Sequence, residues 1–216
     1  MIDFLLPKLH KEGYRFLAIA VVITFILLLI SNFFGLISFV LTIWVYYFFR
    51  DPERFPINNE SFLLAPADGV VSQITEVKGP EELGLENKQF TRISIFMNVF
   101  NCHVNRIPSS GKIDKIFYKP GKYLNASLDK SSSENERNYI KLINSNGAEL
   151  VLVQIAGLIA RRIVCDVQEN LEVKQGEKFG IIRFGSRVDL YFNNYKILVK
   201  EKQKMVSGET IIAIKN

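Results

Sequence analysis

Histidine and cysteine are scarce in this chain, with two of each among 216 residues. The histidines are His10 and His103, and only His103 lies beyond the apolar N-terminal region. With no other histidine beyond the apolar region and only two cysteines, a catalytic zinc site is not expected. The sequence also lacks HExxH, a paired CxxC, a Gly-rich phosphate loop and GxGxxG, so no common metal or nucleotide signature is present. Cys102 and Cys165 give no disulfide framework, and reduced thiols are expected of them. Charge is missing altogether between Phe16 and Phe49, which excludes that run from an ordinary water-facing surface.

The uncharged run reads FLAIAVVITFILLLISNFFGLISFVLTIWVYYFF, 34 residues. As one helix it would be about 50 Å long, too long for an upright span of a hydrocarbon core of about 30 Å. Ser31-Asn32, followed by Gly35, interrupts it and predicts a turn between two helices, at about 16–31 and 33–49. A single tilted span and a shallow re-entrant hairpin are the alternatives. Lys8, Lys11 and Arg15 precede the run and Arg50 and Arg54 follow it, with no basic residue at the turn. The positive-inside rule then puts both ends in the cytoplasm, and Trp44, Tyr46 and Tyr47 fall where an interfacial aromatic belt would lie. A cleaved signal peptide fits poorly, because the run is too long and no small-x-small site follows it before Arg50.

Residues 50–216 hold 24 of the 27 Lys and Arg and 20 of the 22 Asp and Glu, a net charge of +4. The excess is scattered, with a mild cluster at Lys112, Lys115, Lys119 and Lys122. A nucleic-acid binder would show a basic stripe with interleaved aromatics, and none is present, so no nucleic-acid partner is expected. Beside an anchor, an anionic lipid surface is the simpler partner. Strands are predicted at Val70–Val77, Thr91–Asn98, Lys112–Tyr118, Tyr139–Ile143, Glu149–Ile155, Phe179–Phe184, Val188–Phe192, Lys196–Val199 and Ile211–Ile214. Asn146-Gly147 is the strongest hairpin signal. Leu124–Asn138 is polar and Ser-rich and reads as a loop or short helix. The expectation is a mainly β, compact barrel- or sandwich-like domain of short strands at 50–216, preceded by a hydrophobic helical membrane hairpin at 1–49.

Three positions stand out chemically. His103 follows a strand and is the one ordinary proton carrier for neutral pH in this region; its bland alternative is a structural histidine bonded to backbone. Asp68, in Pro66-Ala67-Asp68-Gly69, either caps its own turn or fixes the tautomer of His103. Gly185-Ser186 is a common turn pair, yet a glycine leaves its carbonyl unshielded, so that an activated serine oxygen could attack it.

Several separated stretches then carry a resemblance. They are Tyr47–Arg54, Ala65–Gly69, Asn98–Pro108, Lys119–Ala126, Asn135–Arg137, Gln154–Ile163 and Gly180–Asp189, in order along nearly the whole chain. Together they resemble the phosphatidylserine decarboxylases in their short bacterial and archaeal form. The resemblance implies a proenzyme that cleaves itself between Gly185 and Ser186 into a β chain, 1–185, and an α chain, 186–216, which stay together. It implies that Ser186, activated by His103 with Asp68 behind it, becomes a covalent pyruvoyl group. That cofactor would form a Schiff base with the serine amine of the lipid and act as electron sink for loss of CO2. The implied activity converts phosphatidylserine to phosphatidylethanolamine, at the cell membrane, on its cytoplasmic side.

The longer members carry a second histidine three residues after the first, where this chain has Arg106. One histidine must then serve both steps, or another group supplies a proton. Arg161, Arg162, Arg183 and Arg187 are candidates to meet the substrate phosphate or carboxylate. No metal is expected, and a homo-oligomer is left open. An archaeal ether-linked serine phospholipid is the rival substrate. A membrane-tethered β-domain that only binds a ligand is the non-enzymatic rival, and it would have no need to break at Gly185-Ser186.

Overall fold

A computed structural model of the chain describes residues 7–122, 134–157, 162–183 and 186–216. The chain forms two compact units, 1–53 and 54–216.

The first unit is a helical hairpin. Helices α1 (Tyr14–Ile30) and α2 (Asn32–Phe48) are separated by Ser31 alone, whose backbone is extended at φ −160° and ψ 127°. Gly35 lets α2 approach closely, since a Cβ there would lie 2.4 Å from Leu28 Cδ2. Thr24 Oγ1 bonds both Ser38 Oγ and Thr42 Oγ1 at 2.8 Å, so hydroxyls join the helices inside an otherwise apolar pair. The hairpin is also closed at its open end: His10 N donates to the Phe49 carbonyl at 2.8 Å and Asp51 N to the Lys8 carbonyl at 2.6 Å. Val22, Phe25, Leu29, Phe33, Leu36 and Val40 are exposed along the outer faces. The segment Lys11–Ile30, 20 residues, is long and apolar enough to cross a membrane, whereas Asn32–Phe48 is shorter.

The second unit is mainly β. Its strands are β1 (Phe62–Leu64), β2 (Gly69–Lys78), β3 (Gln89–Met97), β4 (Val104–Arg106), β5 (Gly111–Lys119), β6 (Arg137–Asn144) and β7 (Glu149–Ala156). They continue with β8 (Ile163–Cys165), β9 (Glu172–Val173), β10 (Lys178–Ile182), β11 (Ser186–Phe192), β12 (Tyr195–Ile197), β13 (Lys204–Met205) and β14 (Ile211–Lys215). Among the described residues, eight of them form one sheet in the order β13-β2-β3-β11-β7-β6-β5-β9, curled as a half-barrel. Two three-stranded sheets, β1-β14-β12 and β4-β10-β8, complete the unit.

Alternation along β11 assigns the two faces of the large sheet. Val188, Leu190 and Phe192 join the main core with Ile93 and Ile95 of β3 and Leu150 and Leu152 of β7. The opposite face is covered too, because Leu83 and Leu85 of the β2–β3 connection pack on Tyr139, Val151, Val153 and Ile155. Burial on both faces explains why β7 reads as a nearly unbroken apolar run. The β6–β7 turn follows the Asn-Gly signal: Gly147 has φ +75°, and Asn144 Oδ1 accepts from Asn146 N and Ala148 N at 3.1 and 2.8 Å.

The short strands β1, β4, β8, β9 and β13 are additions to the sequence expectation, and β11 starts at Ser186 rather than at Val188. Of the expected loop Leu124–Asn138, residues 124–133 lie outside the described residues, and Arg137 and Asn138 open β6 instead. Phe184, expected at the end of a strand, is likewise outside them.

Candidate active site

Ser186 is fully buried as the first residue of β11, at the centre of the large sheet. It pairs with Met97, the last residue of β3, on one side and with Ala156, the last residue of β7, on the other. Side chains directly opposite on paired strands share a face, so Met97 and Ala156 give Ser186 an apolar flank on each side. Ser186 Oγ lies 4.0 Å from Met97 Sδ. Gly185 lies outside the described residues.

His103 reaches the same end of the sheets by a short loop. After Met97 the chain turns at Asn98–Asn101, tied by Asn101 N to the Asn98 carbonyl at 3.0 Å and by Asn98 N to Asn101 Oδ1 at 2.9 Å. His103 then enters β4 with its ring fully buried. Its Nδ1 donates to the Asn101 carbonyl at 3.0 Å, which in the neutral ring makes Nε2 the basic atom. The His103 carbonyl accepts from Ile182 N at 3.4 Å, four residues before Ser186. The backbone thus ties the His103 stretch to the end of β10.

Asp68 lies just before β2, whose Val70 pairs with Phe96 beside Met97. Its carboxylate accepts from Arg54 Nη2 at 3.1 and 2.9 Å and from Ser207 N at 2.8 Å. These hydrogen bonds go to Arg54 and Ser207 rather than to the His103 ring. Sequence reasoning assigned Arg54 only to the membrane flank and did not see this contact. Arg106 is buried, with Nη1 donating to the Gly176 carbonyl at 3.0 Å.

The four candidate arginines divide. Arg161 lies outside the described residues. Arg162 is exposed and Arg183 half-buried, and Arg183 N donates to the Arg162 carbonyl at 3.2 Å, so the two residues stand side by side. Arg187 is only 3% exposed and gives Nη2 to Asp189 Oδ2 at 2.8 Å on the face of β11 opposite Ser186.

Buried amides form a second feature that the sequence did not announce. Asn138 Nδ2 donates to Gln154 Oε1 at 3.0 Å, and Gln154 Nε2 donates to Asn105 Oδ1 at 2.9 Å. Gly180 makes room for this crossing between sheets, since a Cβ there would lie 2.1 Å from the Val164 carbonyl oxygen and 3.2 Å from Gln154 Nε2. The Cys165 thiol beside Asn138 is pushed up by burial, against the opposing hydrogen bonds with Val167 and Asn138. Glu136 is also buried; its Oε1 accepts from Ile163 N at 3.3 Å. Among the described residues no group of three or more His, Cys, Asp or Glu side chains is placed to hold a metal ion. Two surface cavities lie elsewhere, lined by Gly111, Asn144 and Asn170 and by Asn146, Gly147 and Lys215, at the end of the sheet away from Ser186.

A mainly β domain with a fully buried serine opening a central strand and a fully buried histidine leading into a second sheet is the class that the fold and site define. Comparison with sequence families matches residues 41–213 to the family described as Phosphatidylserine decarboxylase. A phosphatidylserine decarboxylase proenzyme of Pelagibacter ubique (strain HTCC1062) is 61% identical over 215 residues, covering 100% of both chains. The proenzyme of the same name from Ruegeria pomeroyi is 49% identical over 214 residues, 99% of this chain and 98% of that one. That of Rickettsia typhi is 50% identical over 206 residues, 95% and 89%. The chain belongs to the phosphatidylserine decarboxylase family, in its short bacterial proenzyme form.

Proposed function

We propose that Ser186 is the residue from which this family's pyruvoyl cofactor is made here, and that Gly185-Ser186 is the bond that breaks. The protein is a pyruvoyl-dependent decarboxylase of phosphatidylserine, yielding phosphatidylethanolamine and CO2. Its proenzyme is cleaved into α and β chains, and it is associated with the membrane that holds its substrate.

In the proposed processing, His103 Nε2 takes the Ser186 hydroxyl proton. The oxygen attacks the Gly185 carbonyl carbon, the peptide C–N bond breaks, and an ester replaces the amide. Loss of the Ser186 Cα proton and of the ester oxygen releases the carboxyl end of 1–185. Water then replaces the amino nitrogen of the dehydrated residue 186, which leaves as ammonia. The observation that carries this reading is the placement of Ser186, fully buried and laddered on both sides. A group made there stays fixed between Met97 and Ala156, away from bulk water, which fits a pyruvoyl cofactor.

That group supplies, through a Schiff base to the substrate amine, the electron sink for loss of CO2. The chain's own residues do the rest. Ala156 and the paired strands on either side of Ser186 keep the reacting carbon dry. His103, its tautomer set by Asn101, holds the proton destined for the substrate α-carbon. Asp68, fixed by Arg54 and Ser207, is a positioning residue. Arg162 and Arg183 are the pair assigned to the lipid phosphate.

We further infer that the hairpin ends face the cytoplasm. Lys8, Lys11, Arg15 and Arg50 cluster at the end where the two chain directions meet, which supports that orientation.

Intact mass of the purified protein tests the cut. Chains of 1–185 and 186–216 are expected, the smaller with a blocked, serine-derived start, and Ser186→Ala should leave one uncut, inactive chain. Two chains from Ser186→Ala would move the cut elsewhere.

A further inference from the structure

The buried amide chain points in one direction. Asn138 donates to Gln154 and Gln154 donates to Asn105, so the Asn105 carbonyl oxygen is already used and its Nδ2 is the group left to act. All three residues are 2% exposed or less. Among the described residues the acceptor for Asn105 Nδ2 is the Met97 thioether, at 3.8 Å. A thioether is a weak acceptor, and a buried amide donor normally finds a carbonyl or carboxylate. Met97 Sδ also takes the hydrogen bond of Ser186 Oγ, at 4.0 Å. One flexible side chain therefore stands between a strong, under-used donor and the reacting position. Methionine, with three rotatable bonds, can swing aside when something better arrives.

We propose that Asn105 is a substrate-positioning residue: its Nδ2 donates to the carboxylate of the serine headgroup, with Met97 as the placeholder that the carboxylate displaces. This rests on the reading of Ser186 given above. The chemistry favours a neutral donor there. A buried cation would stabilise the carboxylate most in the ground state and resist its departure as neutral CO2. An amide held by two others can fix the direction of the bond that breaks while adding little charge. Arg187, the cation adjacent to Ser186 in sequence, is kept away by Asp189 on the other face of the strand.

The test separates carboxylate from amine. Phosphatidylethanolamine keeps the amine and phosphate but has no carboxylate. Processed enzyme in mixed micelles is treated with phosphatidylethanolamine and cyanoborohydride, and the mass adduct on the 186–216 chain is followed over time. KM and kcat for phosphatidylserine are measured alongside. For Asn105→Ala the expectation is normal two-chain mass, adduct formation within about twofold of wild type, and KM for phosphatidylserine raised about tenfold, the size of one hydrogen bond. Gln154→Met should give the same split, smaller. Asn105→Asp keeps the shape and the acceptor for Gln154 but sets a negative charge against the carboxylate. It should lose about a hundredfold in kcat/KM for phosphatidylserine and retain adduct formation. An equal fall for both lipids in the Asp variant, or no change for either, overturns the proposal. A wild-type enzyme that is never processed, by contrast, defeats the reading of Ser186 itself.

Discussion

Arg54 and Asp68 form a clasp in which a single guanidinium nitrogen, Nη2, donates to both carboxylate oxygens, at 3.1 and 2.9 Å. Both side chains are largely shielded, at 15% and 13% exposure. Removing Arg54 would leave the carboxylate with the Ser207 N–H and with Glu209 nearby, whose Oε2 lies 3.9 Å from Arg54 Nη1. Arg54→Ala is therefore expected to cost about 2 kcal/mol, read from urea unfolding of the uncut Ser186→Ala chain. In the otherwise native chain, appearance of the two fragments should slow by about tenfold. Normal processing in a destabilised Arg54→Ala protein would separate Asp68 from the chemistry.

Arg187 and Asp189 lie two apart on β11 and so share its outer face, where they are 3% and 1% exposed. Arg187→Met alone would strand a buried carboxylate and should destabilise the uncut Ser186→Ala chain by about 3–5 kcal/mol. The double change Arg187→Met with Asp189→Leu should recover most of that loss. A double variant no better than the single one would show that Arg187 answers to some other partner.

Arg162 and Arg183 are the accessible members of the arginine set among the described residues. Arg162→Ala with Arg183→Ala should raise KM for phosphatidylserine about tenfold or more while the two-chain mass pattern persists. Steady-state kinetics in mixed micelles, with the phosphatidylethanolamine adduct as a second readout, decides it. Both lipids carry the phosphate, so both should weaken together, unlike the split expected of Asn105.

Glu149 bridges Lys88 and Lys141 at the start of β7. The hydrogen bond from Lys88 holds its carboxyl below the ordinary value of 4.5, against burial, with Lys141 adding to the effect. A carboxyl lowered in the folded state stabilises the fold fully above its unfolded value and loses that contribution as pH falls through the folded one. Between about pH 6 and pH 3, Glu149→Gln should therefore lose less stability than the parent. The difference should be about 0.5–1 kcal/mol, since Lys88 is half exposed. Parallel urea titrations at several pH values measure it, and identical slopes would remove Glu149 from the acid response.

Periodicity and turn chemistry made much of the fold legible. The uncharged run with its Ser31 break, the long strands, and the Asn146-Gly147 turn each carry a local signal that the tertiary structure keeps. The two- and three-residue strands do not. Phe62–Leu64 is a strand because β14 pairs with it, and no pattern of three residues can announce a distant partner. Within the site, His103 was visible through its scarcity, and Ser186 through the family resemblance carried by the stretch around it. Arg54 was hidden by its place just beyond the membrane run, where a positive charge already had an explanation. Gln154 did leave a trace, as the lone amide in the otherwise apolar Leu150–Ala156, but its partners Asn105 and Asn138 lie 49 and 16 residues away. The spacing of Arg187 and Asp189 was equally visible, and strand alternation alone would have paired them.

The double laddering of β11 sets the lifetime of the molecule as well as its geometry. In the folded state, a cut before Ser186 frees no strand, since β11 stays threaded between β3 and β7 and β14 between β1 and β12. Unfolding is another matter. Two separate chains leave the denatured state, their refolding becomes second order in concentration, and the serine that could repeat the processing is gone. With the cut proposed above, each molecule is a single-use device whose working life is governed by its rate of unfolding, and heat inactivation should be one-way for the processed enzyme even where the uncut Ser186→Ala chain refolds.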